Sequence, residues 1–401
     1  MFFGKTSVGV EWSQPGRAHG LLRATLMRPA QGVEAIDLLV DGKAHPVDLS
    51  ALPAGAATLP VNIHTMLLGD GRHTLELVVR SAQGRQSTGA HDFELANPGA
   101  LAARVRASLA GRGVPLAYAG PCDAGRYDYD DASLRPWFDR EDADAHVQAL
   151  LDAGRIDAGE AEALRGFVRD GYLLLPGGLD DALVDRALEA MQKAVDEGYQ
   201  GYRYGDSTRL EQMHNVFPAI RELWLQPRIL RMLGLLFDEP AQPCQSLGYV
   251  FGSQQDAHQD TIHLTPFPAG YMCGVWMALE DVQPGSGELV VYPGSHRLPR
   301  VRMHDSGCAK VEGPDWSGFG ATVVRRWGEL LEAGGFQPMP YLAKRGSVLI
   351  WHENLMHAGS VRRDPSLSRR SVVTHHFARG SLAFYDSTGL AGITHDTGAA
   401  A

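Results

Sequence analysis

Several things are scarce in this chain of 401 residues. It has four cysteines, Cys122, Cys244, Cys273 and Cys308, far apart and with no Cys-x-x-Cys pair. That excludes a disulfide framework or a thiolate metal cluster, and reads as reduced packing residues in a cytoplasmic protein. No apolar run approaches the roughly 20 residues of a membrane span, and Met1-Phe2-Phe3-Gly4-Lys5 lacks the charged and apolar regions of an export signal. Basic residues are scattered and outnumbered, 37 Lys and Arg against 47 Asp and Glu, for a net charge of −10. Nucleic acid is therefore not an expected partner. What remains is an ordinary globular composition, 44% hydrophobic and 21% charged, at a length suited to two domains.

Residues 1–98 read as short strands. The run from Ala35 to Val40 meets Asp41-Gly42, a strong hairpin signal, and Thr74 to Val79 meets Gln83-Gly84. Asn97-Pro98-Gly99 closes the segment. Such spacing predicts a β-sandwich of immunoglobulin-like kind, serving either as a structural or dimerising appendage or as a carbohydrate- or partner-binding module. Residues 99–158 read as a linker with short helices, one over 102–109 and one over 143–153. The acidic run from Tyr127 to Asp131 reads as solvated connection. Amphipathic helices follow over 159–168, 181–197 and 220–237, the last interrupted at Pro227. Strands dominate beyond Gln245, so residues 159–385 read as an α+β, mainly β domain with helices bracing an antiparallel sheet. A long insertion runs from Arg300 to about Pro340, and residues 386–401 read as a loose tail.

The chemistry centres on His258-Gln259-Asp260. In a strand, i and i+2 share a face, so this imidazole and carboxylate converge, and a second distal imidazole would complete a 2-His-1-carboxylate iron site. Downstream stand Trp276, then Pro293-Gly294-Ser295-His296, then Trp351-His352, then His357-Ala358-Gly359-Ser360, then Arg369-Arg370 and His375-His376. Each has a competing reading. His352 rivals His357 as the distal histidine, Asp256 rivals Asp260, and Arg370 rivals Arg369. His263 and His375 face either the site or the sheet interior, and His296 reads as a turn residue.

In order and spacing, residues 166–377 resemble the phytanoyl-CoA dioxygenase family of Fe(II)- and 2-oxoglutarate-dependent oxygenases. The resemblance implies a double-stranded β-helix, or jelly-roll, core over this region. It implies that His258, Asp260 and His357 bind Fe(II), and that Arg369 holds the distal carboxylate of 2-oxoglutarate, with Trp276 and Gln245 lining the co-substrate pocket. Two imidazoles and a carboxylate leave positions on the metal for the 2-oxo acid and O2, and a guanidinium fork suits the far carboxylate. Halogenating relatives lack the carboxylate, so Asp260 favours hydroxylation. The expected reaction is oxidation of an unactivated C–H bond of a small metabolite, or of a lipid- or glycan-linked substrate, with succinate and CO2 as co-products. The competing class is a non-catalytic ligand- or carbohydrate-binding protein on the same scaffold. A homo-oligomer or a carbohydrate contact through the N-terminal module is the further partner expectation.

Overall fold

The computed structural model describes residues 6–27, 32–206 and 208–396. Near the N-terminus a pair of sheets shares one core. The Asp41-Gly42 turn is built as its residues require, with φ of 50° and 81°, a pair of left-handed conformations that closes a tight hairpin. It joins Val33–Val40 to Lys43–Pro46, and Gly71–Ser81 pairs on the other side of Val33–Val40 within a seven-stranded sheet. Alternation of half-buried and buried residues along Val33–Val40 turns Ile36, Leu38 and Val40 inward. There they meet Leu22, Ala24, Val61 and Ile63 from a four-stranded sheet.

The N-terminal sheets do not stop at residue 98. Ala117–Ala119 pairs with Leu59–His64 and forms an edge of the four-stranded sheet. The segment expected to be a linker is not a free connection but sends apolar residues into the main core. Its helix Ala100–Gly111 sends Leu101, Val105 and Leu109 into the main core, joined there by Trp137 and Phe138. The acidic run is not simply solvated either: Tyr127 is buried and stacks on Phe267, with ring centroids 4.8 Å apart. Two aromatic rings placed among the acids outweigh the solvation of the carboxylates.

Helices Ala158–Asp170 and Asp181–Asp196 open the second half. The first starts with a reciprocal cap between Asp157 and Glu160 and ends at Gly171, φ 83°. Gly171 also lies against His296, whose Nδ1 would be 2.5 Å from any added Cβ. The next helices are separate, Pro218–Trp224 and Pro227–Phe237, each with proline in its first turn. Behind them stands a six-stranded sheet in the order 172–175, 348–352, 272–278, 371–378, 241–249, 210–211. Two three-stranded sheets accompany it, one of 265–267, 382–385 and 390–391, the other of 339–341, 289–291 and 357–359. The result is a strand-rich mixture of α and β. Among the described residues no helix is long and apolar enough to cross a membrane.

The tail corrects an expectation. Residues 386–396 are anchored, not loose: Asp386 is fully buried with Lys310 Nζ 2.5 Å from its Oδ1, and Leu390–Ala391 pairs with the preceding strand. Glycine and alanine content hid a buried ion pair and a strand pairing. Residues 397–401 lie outside the described residues.

Candidate metal and co-substrate site

His258 and Asp260 converge, but not on a regular strand. His258 makes an isolated antiparallel bridge to His357, with reciprocal backbone bonds of 3.0 and 3.1 Å, and Asp260 opens the 3-10 turn Asp260–Ile262. The two-residue spacing still brings both side chains together, and the bridge supplies the distal histidine by main-chain pairing. Ligand atoms of His258, Asp260 and His357 lie within 4.8 Å of one another. Each Nε2 is 3.7 Å from Asp260 Oδ1.

The donor set is arranged for a cation. His258 Nδ1 lies 2.7 Å from the carbonyl of Asp256 and His357 Nδ1 3.0 Å from that of Leu355. Protonation at Nδ1 to make these bonds leaves both Nε2 lone pairs facing Asp260. The other carboxylate oxygen, Oδ2, accepts from Trp351 Nε1 at 2.8 Å and has His375 Nε2 at 3.4 Å. Oδ1 is thereby left toward the histidines. Burial alone would raise the Asp260 pKa, but His357, His375 and His258 hold it well below the usual carboxylate range. Burial, helped by His357, pushes His258 down to about 4, so its imidazole is neutral at pH 7. The neutral imidazole of His258, the Nε2 of His357 and the ionised carboxylate form a donor set that fits a divalent metal.

Strand parity explains the supporting cast. In Ser371–Ala378 and the residues before it, Arg369, Val373 and His375 line one cavity of about 660 Å³ with the metal residues. Trp351 reaches Asp260 because its indole lies across Gly274, where an added Cβ would be 2.2 Å from the ring. His352, one residue on, takes the opposite face: it is buried against Phe138 and Phe167 and its Nε2 lies 3.4 Å from Asp139. It is not brought to the metal residues. Asp256 contributes its carbonyl while the residue itself is exposed at the cavity rim. His296 is buried beside His352, ring centroids 5.5 Å apart, and its carbonyl accepts from Asn354.

Arg369 is 3% exposed. Its Nη1 donates to Ser371 Oγ at 2.9 Å, its Nε has no partner, and its guanidinium lies 5.6 and 5.7 Å from the ring centroids of Trp276 and Tyr249. No carboxylate is within ion-pairing distance of it among the described residues. Burial pulls its pKa down to about 10, so it stays cationic at pH 7. Arg370, by contrast, pairs with Glu280 at 3.1 Å. Trp276 is buried and lines the cavity. Gln245 lines it too, but its Nε2 lies 3.0 Å from His375 Nδ1. That bond makes His375 Nε2 a donor toward Asp260. Sequence reading left His375 open between the site and the sheet interior and did not single out the bond from Gln245 or the support from Trp351.

Comparison with known proteins bears on residues in the second half. A family model described as phytanoyl-CoA dioxygenase matches residues 167–371. A peroxisomal phytanoyl-CoA dioxygenase of Bos taurus is 25% identical over 169 residues, 42% of this chain and 45% of the relative. A phytanoyl-CoA dioxygenase domain-containing protein 1 of Mus musculus is 27% identical over 170 residues, 41% of this chain and 54% of the relative. The matched region thus spans about half the length of these relatives. Among solved structures, the non-heme alpha ketoglutarate dependent carbocyclase SnoK is 18% identical at a TM-score of 0.46, covering 59% of this chain and 88% of that one. An iron-bound EctD from S. alaskensis is 21% identical at 0.43, covering 56% and 77%.

Proposed function

The chain belongs to the phytanoyl-CoA dioxygenase family, and from that premise we propose that it is an Fe(II)- and 2-oxoglutarate-dependent dioxygenase hydroxylating a small-molecule substrate. His258, Asp260 and His357 hold the iron, and Arg369 pairs with the distal carboxylate of 2-oxoglutarate between Trp276 and Tyr249. The observation that carries the reading is the buried, carboxylate-free guanidinium of Arg369 in the same cavity as the three metal residues. A buried charge without an ionic partner is costly, and an anionic co-substrate supplies that partner. When bound, iron, 2-oxoglutarate and O2 supply oxidation of an unactivated C–H bond, with succinate and CO2 as co-products.

The chain's own residues do the rest. Carbonyls of Asp256 and Leu355 fix the histidine tautomers, and Trp351 and His375 fix the carboxylate. Gln245 acts through His375. Leu247, Leu289 and Val373 give the inner cavity an apolar wall that limits water around the reacting bond. We read the second half, residues 159–385, as a double-stranded β-helix core, and the N-terminal sheets as an immunoglobulin-like sandwich, to which the segment 99–158 adds the strand Ala117–Ala119. Four unpaired cysteines support a reducing, cytoplasmic compartment.

The test is succinate formation by the purified protein given Fe(II), 2-oxoglutarate and air, with no added substrate. Succinate should appear in step with loss of 2-oxoglutarate and vanish when iron is removed by a chelator. An iron-loaded protein that neither binds nor consumes 2-oxoglutarate would sink the reading.

A further inference from the structure

The outer half of the cavity is built from two unlike walls. One comes from the long insertion, whose helices end in a five-residue π-helical turn, Gly320–Val324, followed by Arg325–Gly334. It presents Trp316, Phe319 and Trp327 with His263 beside them, neighbouring ring centroids 5.2 to 6.2 Å apart. Phe319 and Trp327 are buried, whereas Trp316 is 41% exposed and lines the cavity. A large indole with part of its surface open at a cavity wall offers a stacking surface to a ligand.

The other wall carries the charge. Arg209 lines the cavity with its Nε on Glu211 at 2.8 Å and the Tyr249 side chain as its other partner. Arg209 and His263 line the same cavity. Thr388, on the cavity lining, has a buried hydroxyl without a partner. One free carboxylate, Asp256, stands at the rim. A single arginine suits one carboxylate-type anion. Asp256 repels further negative charge, which disfavours a multiply charged phosphate ligand.

We propose that the substrate is a small molecule with one apolar ring and one carboxylate, the ring lying on Trp316 and Phe319 and the carboxylate meeting Arg209. A free acid, and not its CoA thioester, is the form this cavity selects. The inference rests on the dioxygenase reading of the same site.

The probes are 3-phenylpropionate, its primary amide and its CoA thioester. Each is titrated under anaerobic conditions into the protein loaded with Fe(II) and 2-oxoglutarate, with binding read by quenching of tryptophan fluorescence. The acid should bind at least about tenfold tighter than the amide, as for loss of a charge-assisted hydrogen bond, and tighter than the thioester. Arg209→Gln should erase the preference of acid over amide. Trp316→Ala should weaken acid and amide alike, by about three- to tenfold. Equal binding of acid and amide, tighter binding of the thioester, a preference surviving Arg209→Gln, or no quenching by any probe would each overturn the proposal. Succinate formation by the unaltered protein without probe reports separately on the dioxygenase reading. Its success beside a failed titration removes only the substrate assignment.

Discussion

His64 in the N-terminal half and His258 with His357 in the second half differ in what answers their ring nitrogens. His64, in the N-terminal four-stranded sheet, has both nitrogens answered by protein: Nδ1 lies 2.8 Å from the carbonyl of Pro115 and Nε2 3.0 Å from the Tyr127 hydroxyl. His258 and His357 have only Nδ1 answered, each by a carbonyl two residues back, and both Nε2 atoms face one carboxylate oxygen. Desolvation lowers the pKa of fully buried His64 and of half-buried His258 alike to about 4. Titration therefore does not distinguish them; the unanswered nitrogen does. Arg369 follows the same rule among cations, buried without the carboxylate that Arg370 has.

The contrast is broken most severely at His357. His357→Ala should abolish iron-dependent succinate formation and retained iron, measured by metal analysis of the folded protein, since it removes a ligand outright. His352→Ala should leave iron in place in whatever fraction folds. Equal iron loss in the two, or loss in His352→Ala alone, would overturn the choice of His357 over His352. Next in size is Arg369→Ala, which should raise the KM for 2-oxoglutarate by roughly two to three orders of magnitude, the scale of a buried charge pair broken from one side. Arg370→Ala removes only a partly exposed pair worth under about 1 kcal/mol and should leave that KM unchanged. A reversal between the two arginines, read by titrating 2-oxoglutarate at saturating iron, would overturn the assignment.

His64 sharpens the comparison from the other side. Its folded pKa of about 4 lies below the unfolded value of 6.5, so the unfolded chain takes up the proton first as pH falls. Its contribution is complete above pH 6.5 and is lost progressively toward pH 4, about 3 kcal/mol over that window. His64→Gln should make the fall of urea stability between pH 7 and 4 shallower while iron binding at pH 7 persists. An unchanged slope would show that His64 does not titrate as a buried neutral group. The smallest expected effect is at His375. His375→Gln should weaken iron binding about tenfold by loosening Asp260, the usual scale for a residue supporting a ligand. A wild-type iron affinity would mean that Trp351 alone positions the carboxylate.

His258 and Asp260 were legible as a pair because they sit two apart, whereas the choice between Arg369 and Arg370 and the direction of His375 stayed open in the sequence. What was not legible depends on partners far away in sequence. His352 and His357 both follow the strand Val348–His352 closely, and only the bridge from His357 to His258 and the packing of His352 on Phe138 and Asp139 separate them. The same holds for the fold. The Asp41-Gly42 hairpin announces itself locally, whereas the strand Ala117–Ala119 exists because Leu59–His64 is beside it. Gln245 was read as pocket lining, and its bond to His375 requires the pairing of 241–249 with 371–378.

Lys310, at the base of the insertion, lies 2.8 Å from Asp123 and 2.5 Å from Asp386. Asp386 also accepts from the backbone N–H of Ala124 and of Met303. Both carboxylates lie outside the stretch that the family model matches. A chain trimmed to residues 167–371 would retain every residue assigned to iron and 2-oxoglutarate, yet the aromatic wall over them would lose the anchors at its root. Ancestry in this protein is thus written in the middle of the chain, while the shape of what it accepts is held from both ends.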